Sequence, residues 1–219
     1  MNRPQPLEPP IRVIFIDWYR TLSTSLFWGH WSAPTHPRCN DFYCIQRLWR
    51  NELQPLLEPW MRGSMTSEQF VAKVADCLAC DYSELMAAFI IGCEGMTLVS
   101  DELPLIIRQI RKRSIHVVIA TDNMDCFTRW TVPALELDMM FDDILCSHEL
   151  GCLKGDIDEN GRSCFFVPYL ERHIIGAAEC LILDDSPSIS KVASACGMEC
   201  LRISSDVSLV TALRRVLTN

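Results

Sequence analysis

The stretch that decides the fold is IRVIFIDWYRTLS, which spans residues 11–23. Five of its first six residues are apolar, and they lead directly to a single acid, Asp17. A short, continuous apolar run that ends in a turn predicts a buried strand of a parallel sheet. Sheets of this class bind their ligands at the carboxyl ends of the strands. The sequence therefore predicts Asp17 at the mouth of a site, with Thr21 a short turn away.

Three later segments supply polar side chains in a similar way. They are IHVVIATDN (115–123), SHELGCLKGD (147–156) and CLILDDSPS (180–188). The first and third are apolar runs that end in polar residues, whereas the second is a loop of turn formers. The polar residues of the three segments include Thr121, Asp122, Asn123, Lys154, Asp184 and Asp185. Because parallel strands end at the same edge of a sheet, we expect these side chains to lie near Asp17.

The order and context of these four motifs resemble those of the haloacid dehalogenase (HAD) superfamily of phosphatases and related hydrolases. The resemblance covers residues 11 to about 203. It implies that Asp17 is the nucleophile, that the Thr121 hydroxyl binds the transferring group, and that Lys154 orients it. It also implies a Mg²⁺ site formed by Asp17, Asp184, Asp185 and the backbone carbonyl of Tyr19.

The first motif departs from the phosphatase pattern at Tyr19. Phosphatases of the superfamily carry a second aspartate there, which acts as general acid and base, whereas the 2-haloacid dehalogenases carry tyrosine. Arg20 also replaces the usual glycine. The dehalogenases work without a metal and have Ser and Asn where this chain has Asp184 and Asp185. The first motif therefore favours a dehalogenase, and the fourth favours a phosphatase.

The charge of the predicted site favours the phosphatase. Three carboxylates near one lysine leave surplus negative charge in a partly dehydrated cleft. Such a cluster must either raise a pKa or recruit a cation. Magnesium binds a few carboxylates, keeps several waters and bridges phosphate oxygens. We therefore expect Mg²⁺ as the cofactor and an aspartyl phosphate on Asp17 as the intermediate.

Tyrosine at position 19 predicts slow turnover, because a phenol with the reference pKa of about 10 is a poor general base. We expect a preference for good leaving groups, such as those of acyl or aryl phosphates. Two alternatives remain open. One is a metal-free 2-haloacid dehalogenase with Asp17 as nucleophile, and the other is a non-catalytic protein of the same fold that binds a partner.

The predicted substrate is a small phosphorylated organic compound. Trp18, Thr21 and Asn123 flank the predicted catalytic residues in sequence, so we expect them to contact it. Aromatic residues are also frequent after the first strand, namely Phe27, Trp28, Trp31, Phe42, Tyr43, Trp49 and Trp60. They predict either an apolar substrate pocket or simply the core of this segment.

The chain between Asp17 and Thr121 is too long for a simple crossover and reads mostly as helix. Capping-box sequences at Thr66–Gln69 and Asp81–Glu84 open two of these helices. We expect a helical cap over residues 24–98, a core formed by residues 11–23 and 99–219, and a flexible N-terminus over residues 1–10. In the core, strands alternate with helices, one of them predicted around residues 125–136. This alternation predicts an α/β fold with a doubly wound, Rossmann-like parallel sheet.

Composition sets further limits. The chain has 219 residues and a formal net charge of −8, which argues against nucleic acid as a partner. No apolar stretch approaches the roughly 18 residues that a membrane span requires. The first ten residues contain four prolines and no apolar run, so no signal peptide is expected. We therefore expect a cytoplasmic protein whose twelve cysteines are reduced.

Overall fold

The fold centres on a five-stranded sheet, as seen in a computed structural model that describes residues 10–218. The predicted flexible N-terminus lies outside the described residues, apart from Pro10. The strands are β1 (Val13–Ile16), β2 (His116–Thr121), β3 (Asp143–Cys146), β4 (Cys180–Asp184) and β5 (Glu199–Arg202). Every pairing is parallel, and the strand order is β3-β2-β1-β4-β5.

The helices are distributed along the whole chain. In chain order they are α1 (Cys39–Arg50), α2 (Gln54–Met61), α3 (Ser67–Leu78), α4 (Tyr82–Glu94), α5 (Leu103–Arg111), α6 (Val132–Ala134), α7 (Leu137–Met140), α8 (Ser147–Leu150), α9 (Val167–His173), α10 (Pro187–Ala195) and α11 (Leu209–Thr218). Within residues 10–218, none of them combines the length and the apolar character needed to cross a membrane.

The sheet has a hydrophobic core on each face, because successive strand residues point to opposite sides. Ile14 and Ile16 of β1 pack in one core with residues of α5 and α11. Val13 and Phe15 pack in the other core with residues of α9 and α10. Helices on both faces of a parallel sheet define a doubly wound α/β fold. The predicted Rossmann-like fold class is therefore confirmed.

The central position of β1 determines where the site forms. Ile16, the last residue of β1, pairs with Ile119 of β2 on one side and with Leu183 of β4 on the other. The residues that follow these positions therefore leave the sheet at the same edge. Asp17 comes next after β1, and Asp184 comes next after Leu183.

The chain between β1 and α5 forms a helical insertion. Its four helices, α1–α4, share a core of their own. Trp28 and Trp60 are fully buried in it, and the rings of Trp60 and Phe70 stack with 4.0 Å between their centroids. The indole N–H of Trp28 donates to the Leu85 carbonyl at 3.1 Å, which satisfies its one polar group. The residue boundaries given above for a cap and a core stay a prediction.

The capping box predicted at Thr66 forms at the start of α3. The Thr66 hydroxyl accepts a hydrogen bond from the Gln69 N–H, and the Gln69 side chain accepts one from the Thr66 N–H. At the start of α4, the Asp81 carboxylate accepts a hydrogen bond from the Glu84 N–H at 2.9 Å. These caps satisfy N–H groups that a helix start otherwise leaves unpaired.

The helix predicted around residues 125–136 forms over residues 125–134, but it is not a regular α-helix throughout. A π-helical turn occupies Phe127–Thr131, and only Val132–Ala134 continues as α-helix. Pro133 has no N–H to donate to the preceding turn, so the regular hydrogen-bond ladder cannot continue through it. The Thr131 hydroxyl donates to the Cys93 carbonyl of α4 at 3.0 Å, which ties the irregular turn to the insertion.

Candidate active site

Two buried carboxylates meet where β1 and β4 end. The N–H of Asp17 donates to the Leu183 carbonyl at 2.9 Å, so Asp17 continues the pairing of β1 with β4. Asp184 is the last residue of β4, and its Oδ1 accepts a hydrogen bond from the Ser186 N–H at 2.8 Å. Only 7% of Asp17 and 1% of Asp184 is exposed. Two neighbouring carboxylates that are both buried and ionised require a counter-charge.

Lys154 supplies that counter-charge. Its Nζ donates to Asp17 Oδ1 and to Asp184 Oδ2, and each distance is 2.6 Å. The lysine itself is only 4% exposed, which is rare unless the ammonium group is paired. The structure thus brings together three of the residues that the motifs singled out.

The loop that carries Lys154 is held by carboxylates on both sides. The Lys154 N–H donates to Asp122 Oδ1 at 2.8 Å, and the Leu153 N–H donates to Asp156 Oδ2 at 2.9 Å. Asp156 in turn forms a two-point ion pair with Arg62, with Nη2 at 2.9 Å from Oδ1 and Nη1 bonded to Oδ2. Because Arg62 directly follows α2, the helical insertion contacts the loop that positions Lys154.

Burial raises the pKa of the acids at the site. It raises the pKa of Asp17 to about 7, while the Lys154 ammonium opposes this and the charge of Asp184 adds to it. Burial alone would lower the pKa of Lys154, but the carboxylates of Asp17 and Asp184 outweigh it and raise the pKa. Burial also raises the pKa of Asp122 and of Asp185. Each of these acids resists ionisation chiefly because it is buried, and the neighbouring carboxylates add to the effect.

Arg20 provides the second cation at the site. Its Nη1 lies 3.6 Å from Asp185 Oδ2, although 68% of the arginine side chain is exposed. Arg20 has a φ of 64°, the left-handed conformation in which glycine carries no steric cost. Within residues 10–218, the ion pairs of this cluster involve only Lys154 and Arg20, and Arg202 donates to the Asp185 backbone carbonyl instead.

The acid cluster fits a hard divalent cation. Asp17, Asp184 and Asp185 each offer a carboxylate oxygen, and these oxygens lie within 4.8 Å of one another. No other group of three or more His, Cys, Asp or Glu residues meets this criterion in the part of the chain that the structure describes. Carboxylate oxygens are the ligands that Mg²⁺ prefers, and it binds through few of them. The three aspartates predicted as metal ligands therefore form one cluster.

Trp18 and Tyr19, which follow Asp17, point to different environments. Trp18 is 2% exposed, and its ring packs on Phe127 with 5.0 Å between centroids. Tyr19 is 48% exposed, and its phenol forms no hydrogen bond with any residue from 10 to 218. A half-exposed, unpaired phenol lacks the environment that would adapt it to proton transfer. The catalytic role predicted for Tyr19 stays a prediction, as does metal binding by its carbonyl.

The predicted hydroxyl and amide residues are buried. Thr121, at the end of β2, and Thr21 are each 1% exposed, and the Thr21 hydroxyl oxygen has no hydrogen-bond partner among the described residues. The Asn123 side-chain oxygen accepts a hydrogen bond from the Met124 N–H at 2.9 Å. The backbone N–H of Asn123 is also paired, because it donates to the Ser147 hydroxyl at 3.0 Å. Their predicted roles in binding the transferring group and the substrate stay predictions.

A cavity of about 380 Å³ opens between this edge of the sheet and the helical insertion. Its walls come from both sides and include the side chains next to the catalytic motifs, Trp18 and Asn123. Two aromatic residues of the insertion, Phe27 and Trp49, also line it. By contrast, Trp28, Trp31, Phe42 and Trp60 are buried in the insertion core. Each of the two interpretations of the aromatic residues thus holds for some of them.

Comparison with known proteins identifies the fold. No protein-family model matches the chain, and no curated protein matches it in sequence. Among solved structures, a predicted HAD-like family hydrolase from Porphyromonas gingivalis has a TM-score of 0.65 at 16% identity, covering 96% of this chain and 100% of its own. The two chains are therefore similar over nearly their whole length.

Two further solved structures share this fold. A HAD family enzyme from Bacteroides thetaiotaomicron, solved with magnesium and inorganic phosphate, has a TM-score of 0.64 at 17% identity, over 89% of this chain and 95% of its own. An L-2-haloacid dehalogenase from Xanthobacter autotrophicus, solved with chloropropionic acid covalently bound, has a TM-score of 0.62 at 14% identity, over 95% and 83%. The chain has the fold of the haloacid dehalogenase superfamily, as the four motifs predicted.

Sequence reasoning missed two features of this site. Asp122 follows Thr121 directly, yet its part in holding the Lys154 backbone depends on a loop 32 residues away. The pair of Arg62 with Asp156 joins residues 94 positions apart. The position of Asp122 at a strand end was a usable signal, whereas nothing in the sequence near Arg62 indicates its partner.

Proposed function

We propose that this protein is a Mg²⁺-dependent hydrolase that acts on phosphate monoesters through Asp17. The observation that carries the proposal is the cluster of three carboxylates, Asp17, Asp184 and Asp185, whose oxygens lie within 4.8 Å of one another. Their ion-pair partners are Lys154 and Arg20. The carboxylates therefore outnumber the cations in contact with them, which favours binding of a divalent cation. Bound by Asp17, Asp184, Asp185 and the Tyr19 carbonyl, Mg²⁺ would neutralise phosphate oxygens during transfer.

The residues of the chain then divide the chemistry among them. A carboxylate oxygen of Asp17 attacks phosphorus in line, and the bond from phosphorus to the ester oxygen breaks. Lys154, fixed through its backbone by Asp122, holds a phosphoryl oxygen while its ammonium stabilises the developing charge. The Thr121 hydroxyl donates to another phosphoryl oxygen. Water then attacks phosphorus, which releases phosphate and restores the Asp17 carboxylate.

Turnover is slow in this proposal, because no side chain replaces the general acid and base that position 19 lacks. Loss of such a group typically costs about 10²- to 10⁴-fold in rate. The effect falls on substrates whose leaving oxygen needs a proton and on the attack by water. Good leaving groups escape the first of these two costs.

A metal-free 2-haloacid dehalogenase is the second candidate, and Tyr19 is the observation that favours it. The charges of the site oppose it. A 2-haloacid carries its own carboxylate, which the excess of carboxylates over cations at the site would repel. A phosphate monoester faces the same repulsion only until a divalent cation is present.

The test measures phosphate release from an aryl phosphate and an acyl phosphate, with Mg²⁺ and with a chelator. Chloride release from 2-chloropropionate is followed in parallel. We expect phosphate release that requires Mg²⁺ and is lost in Asp17→Asn, while Asp138→Asn, at an exposed position of α7, retains it. Chloride release that persists in chelator, without phosphate release, would establish the dehalogenase instead.

A further inference from the structure

The cavity beside the catalytic residues has a largely apolar wall that is rich in aromatic and thioether side chains. Its volume is about 380 Å³, and its apolar lining includes Trp18, Phe27, Trp49, Phe127, Met61 and Met124. A cavity of roughly 150 Å³ already suffices for benzene. The space therefore admits an organic body of about two fused rings.

Three polar groups of the cavity wall are already occupied. The Thr131 hydroxyl donates to the Cys93 carbonyl at 3.0 Å, and the Ser25 hydroxyl accepts a hydrogen bond from the Thr97 N–H at 3.0 Å. Asp122 Oδ1 is bonded to the Lys154 N–H. A sugar or polyol placed here would bury hydroxyl groups with few partners, and each such group costs about 1–3 kcal/mol.

Two larger polar side chains lie on the side of the cavity that faces solvent. Arg50 and Tyr19 both line the cavity, and both are exposed. Arg50 forms no ion pair with any residue from 10 to 218. These side chains mark the opening, so the apolar walls lie between the opening and the catalytic edge.

The cavity is lined by residues that directly follow two of the predicted catalytic residues in the chain. Trp18 follows the nucleophile Asp17, and Asp122 follows Thr121, and both neighbours contribute to the wall. A phosphoryl group held by Lys154 would therefore place its ester oxygen toward the aromatic walls. The organic part that fills the cavity is then the leaving group.

The chemistry of position 19 leads independently to the same class of leaving group. An alcohol oxygen, like the oxygen of water, has a pKa far above neutral and must gain a proton as it departs. A phenolic oxygen has a pKa of about 10 and can depart as the anion. Because position 19 carries tyrosine in place of the aspartate of the phosphatase motif, the site suits an aryl ester.

We propose that the cavity binds a two-ring aromatic group and that the substrate is the corresponding aryl phosphate monoester. The inference rests on the proposed function and specifies its substrate class. In the reaction, Asp17 bonds to phosphorus as the bond from phosphorus to the aryl oxygen breaks. The aryloxide keeps the electron pair of that bond and takes its proton from water.

Two measurements test the inference separately from the phosphatase reaction. The first compares kcat/KM for naphthyl phosphate, phenyl phosphate and glucose 6-phosphate. The second measures binding of naphthyl phosphonate, whose carbon–phosphorus bond is not hydrolysed, by calorimetry with Mg²⁺ present. Both use the wild-type chain, Leu57→Trp, which fills the cavity from α2, and Leu56→Trp. Leu56 is a matched control because it is a half-buried neighbour on α2 that does not line the cavity.

We expect kcat/KM for naphthyl phosphate to be at least roughly tenfold higher than for phenyl phosphate. It should be higher than for glucose 6-phosphate by on the order of a hundredfold. Leu57→Trp should weaken phosphonate binding by on the order of tenfold, and Leu56→Trp should leave it nearly unchanged. Equal kcat/KM values for the three esters would overturn the inference, as would binding that Leu57→Trp does not weaken.

Failure of the phosphatase proposal gives a different pattern. If no ester is hydrolysed but the naphthyl phosphonate binds and Leu57→Trp weakens its binding, the aromatic site stands and the reaction is wrong. If esters are hydrolysed without preference for aromatic groups, the reaction stands and the aromatic site is wrong. Should Leu57→Trp fail to fold, the comparison of esters on the wild-type chain still decides.

Discussion

Replacing Lys154 with methionine removes the cation that bridges Asp17 and Asp184 and keeps a side chain of similar length. Both carboxylates lie 2.6 Å from the ammonium group, and all three residues are buried. Removing one partner of a buried ion pair typically destabilises a protein by about 3–5 kcal/mol. We expect a loss near the lower end, about 3 kcal/mol at neutral pH in chelator, because Asp17 can take up a proton.

The pH dependence of this loss follows from the sign of the shift. The pKa of Asp17 in the folded protein, about 7, already exceeds the reference value of 3.8, and loss of Lys154 raises it further. An acid whose pKa is raised by folding binds more protons in the folded state, so stability falls as the pH rises. The cost of Lys154→Met should therefore grow between about pH 6 and about pH 8, by up to roughly 1.4 kcal/mol per pH unit.

Urea unfolding of the wild-type chain and Lys154→Met, each in chelator and in Mg²⁺, measures these effects. Mg²⁺ should recover part of the loss, since it neutralises the same carboxylates. Lys73→Met is the control, because Lys73 is exposed on α3 and should change stability by less than about 0.5 kcal/mol. A loss below about 1 kcal/mol, or one that neither pH nor Mg²⁺ alters, would refute the charge balance argued above.

Three further substitutions test other parts of the site. Tyr19→Asp should raise kcat for alkyl phosphates by about 10²- to 10⁴-fold in a phosphate-release assay, with a smaller gain for aryl phosphates. Arg20→Gly removes the cation next to Asp185 and the strain of a φ of 64°, so calorimetry should show tighter Mg²⁺ binding by roughly severalfold. Asp125→Asn weakens buried bonds from Trp60, Ser67 and Arg129, and should cost about 2 kcal/mol in urea unfolding at neutral pH. Burial by itself would raise the pKa of Asp125, but these hydrogen bonds outweigh it and lower the pKa. The contribution of the Asp125 carboxylate to stability should therefore be lost as the pH falls below 3.8.

Each of these changes has a matched control. Tyr43→Asp places the same acid at an exposed position of α1, and equal gains from it and Tyr19→Asp would contradict the role given to position 19. Arg20→Ala removes the same charge without the freedom of glycine, and weaker Mg²⁺ binding in both Arg20 variants would contradict the second prediction. Asp138→Asn should leave stability unchanged. An Asp125→Asn loss that persists at low pH would show that charge is not its cause.

The sequence was sufficient to predict the centre of the sheet because β1, β2 and β4 are short apolar runs that are almost fully buried. Each ends in a polar residue, so the pattern that predicted β1 and β4 also predicted where Asp17 and Asp184 lie. Lys154 could be placed from its motif, although its two bonds of 2.6 Å could not. Local patterns thus identified the residues that later met in space.

Features that depend on distant contacts were beyond the sequence pattern. The π-helical turn at Phe127–Thr131 combines a local cause, Pro133, with a bond from Thr131 to α4. The pairing of Arg62 with Asp156 depends on how the insertion packs against the loop that carries Lys154. The left-handed backbone of Arg20 depends on the conformation of the turn after β1. The aromatic residues divided between core and cavity because packing, rather than composition, decides which rings face inward.

The most direct test of the account is mass spectrometry of the acid-quenched protein during turnover of naphthyl phosphate with Mg²⁺. Slow attack by water on the intermediate should allow a phosphoryl group to accumulate on Asp17, and chelator or Asp17→Asn should abolish it. Release of phosphate without phosphorylated Asp17, at a rate that Asp17→Asn does not change, would contradict the account.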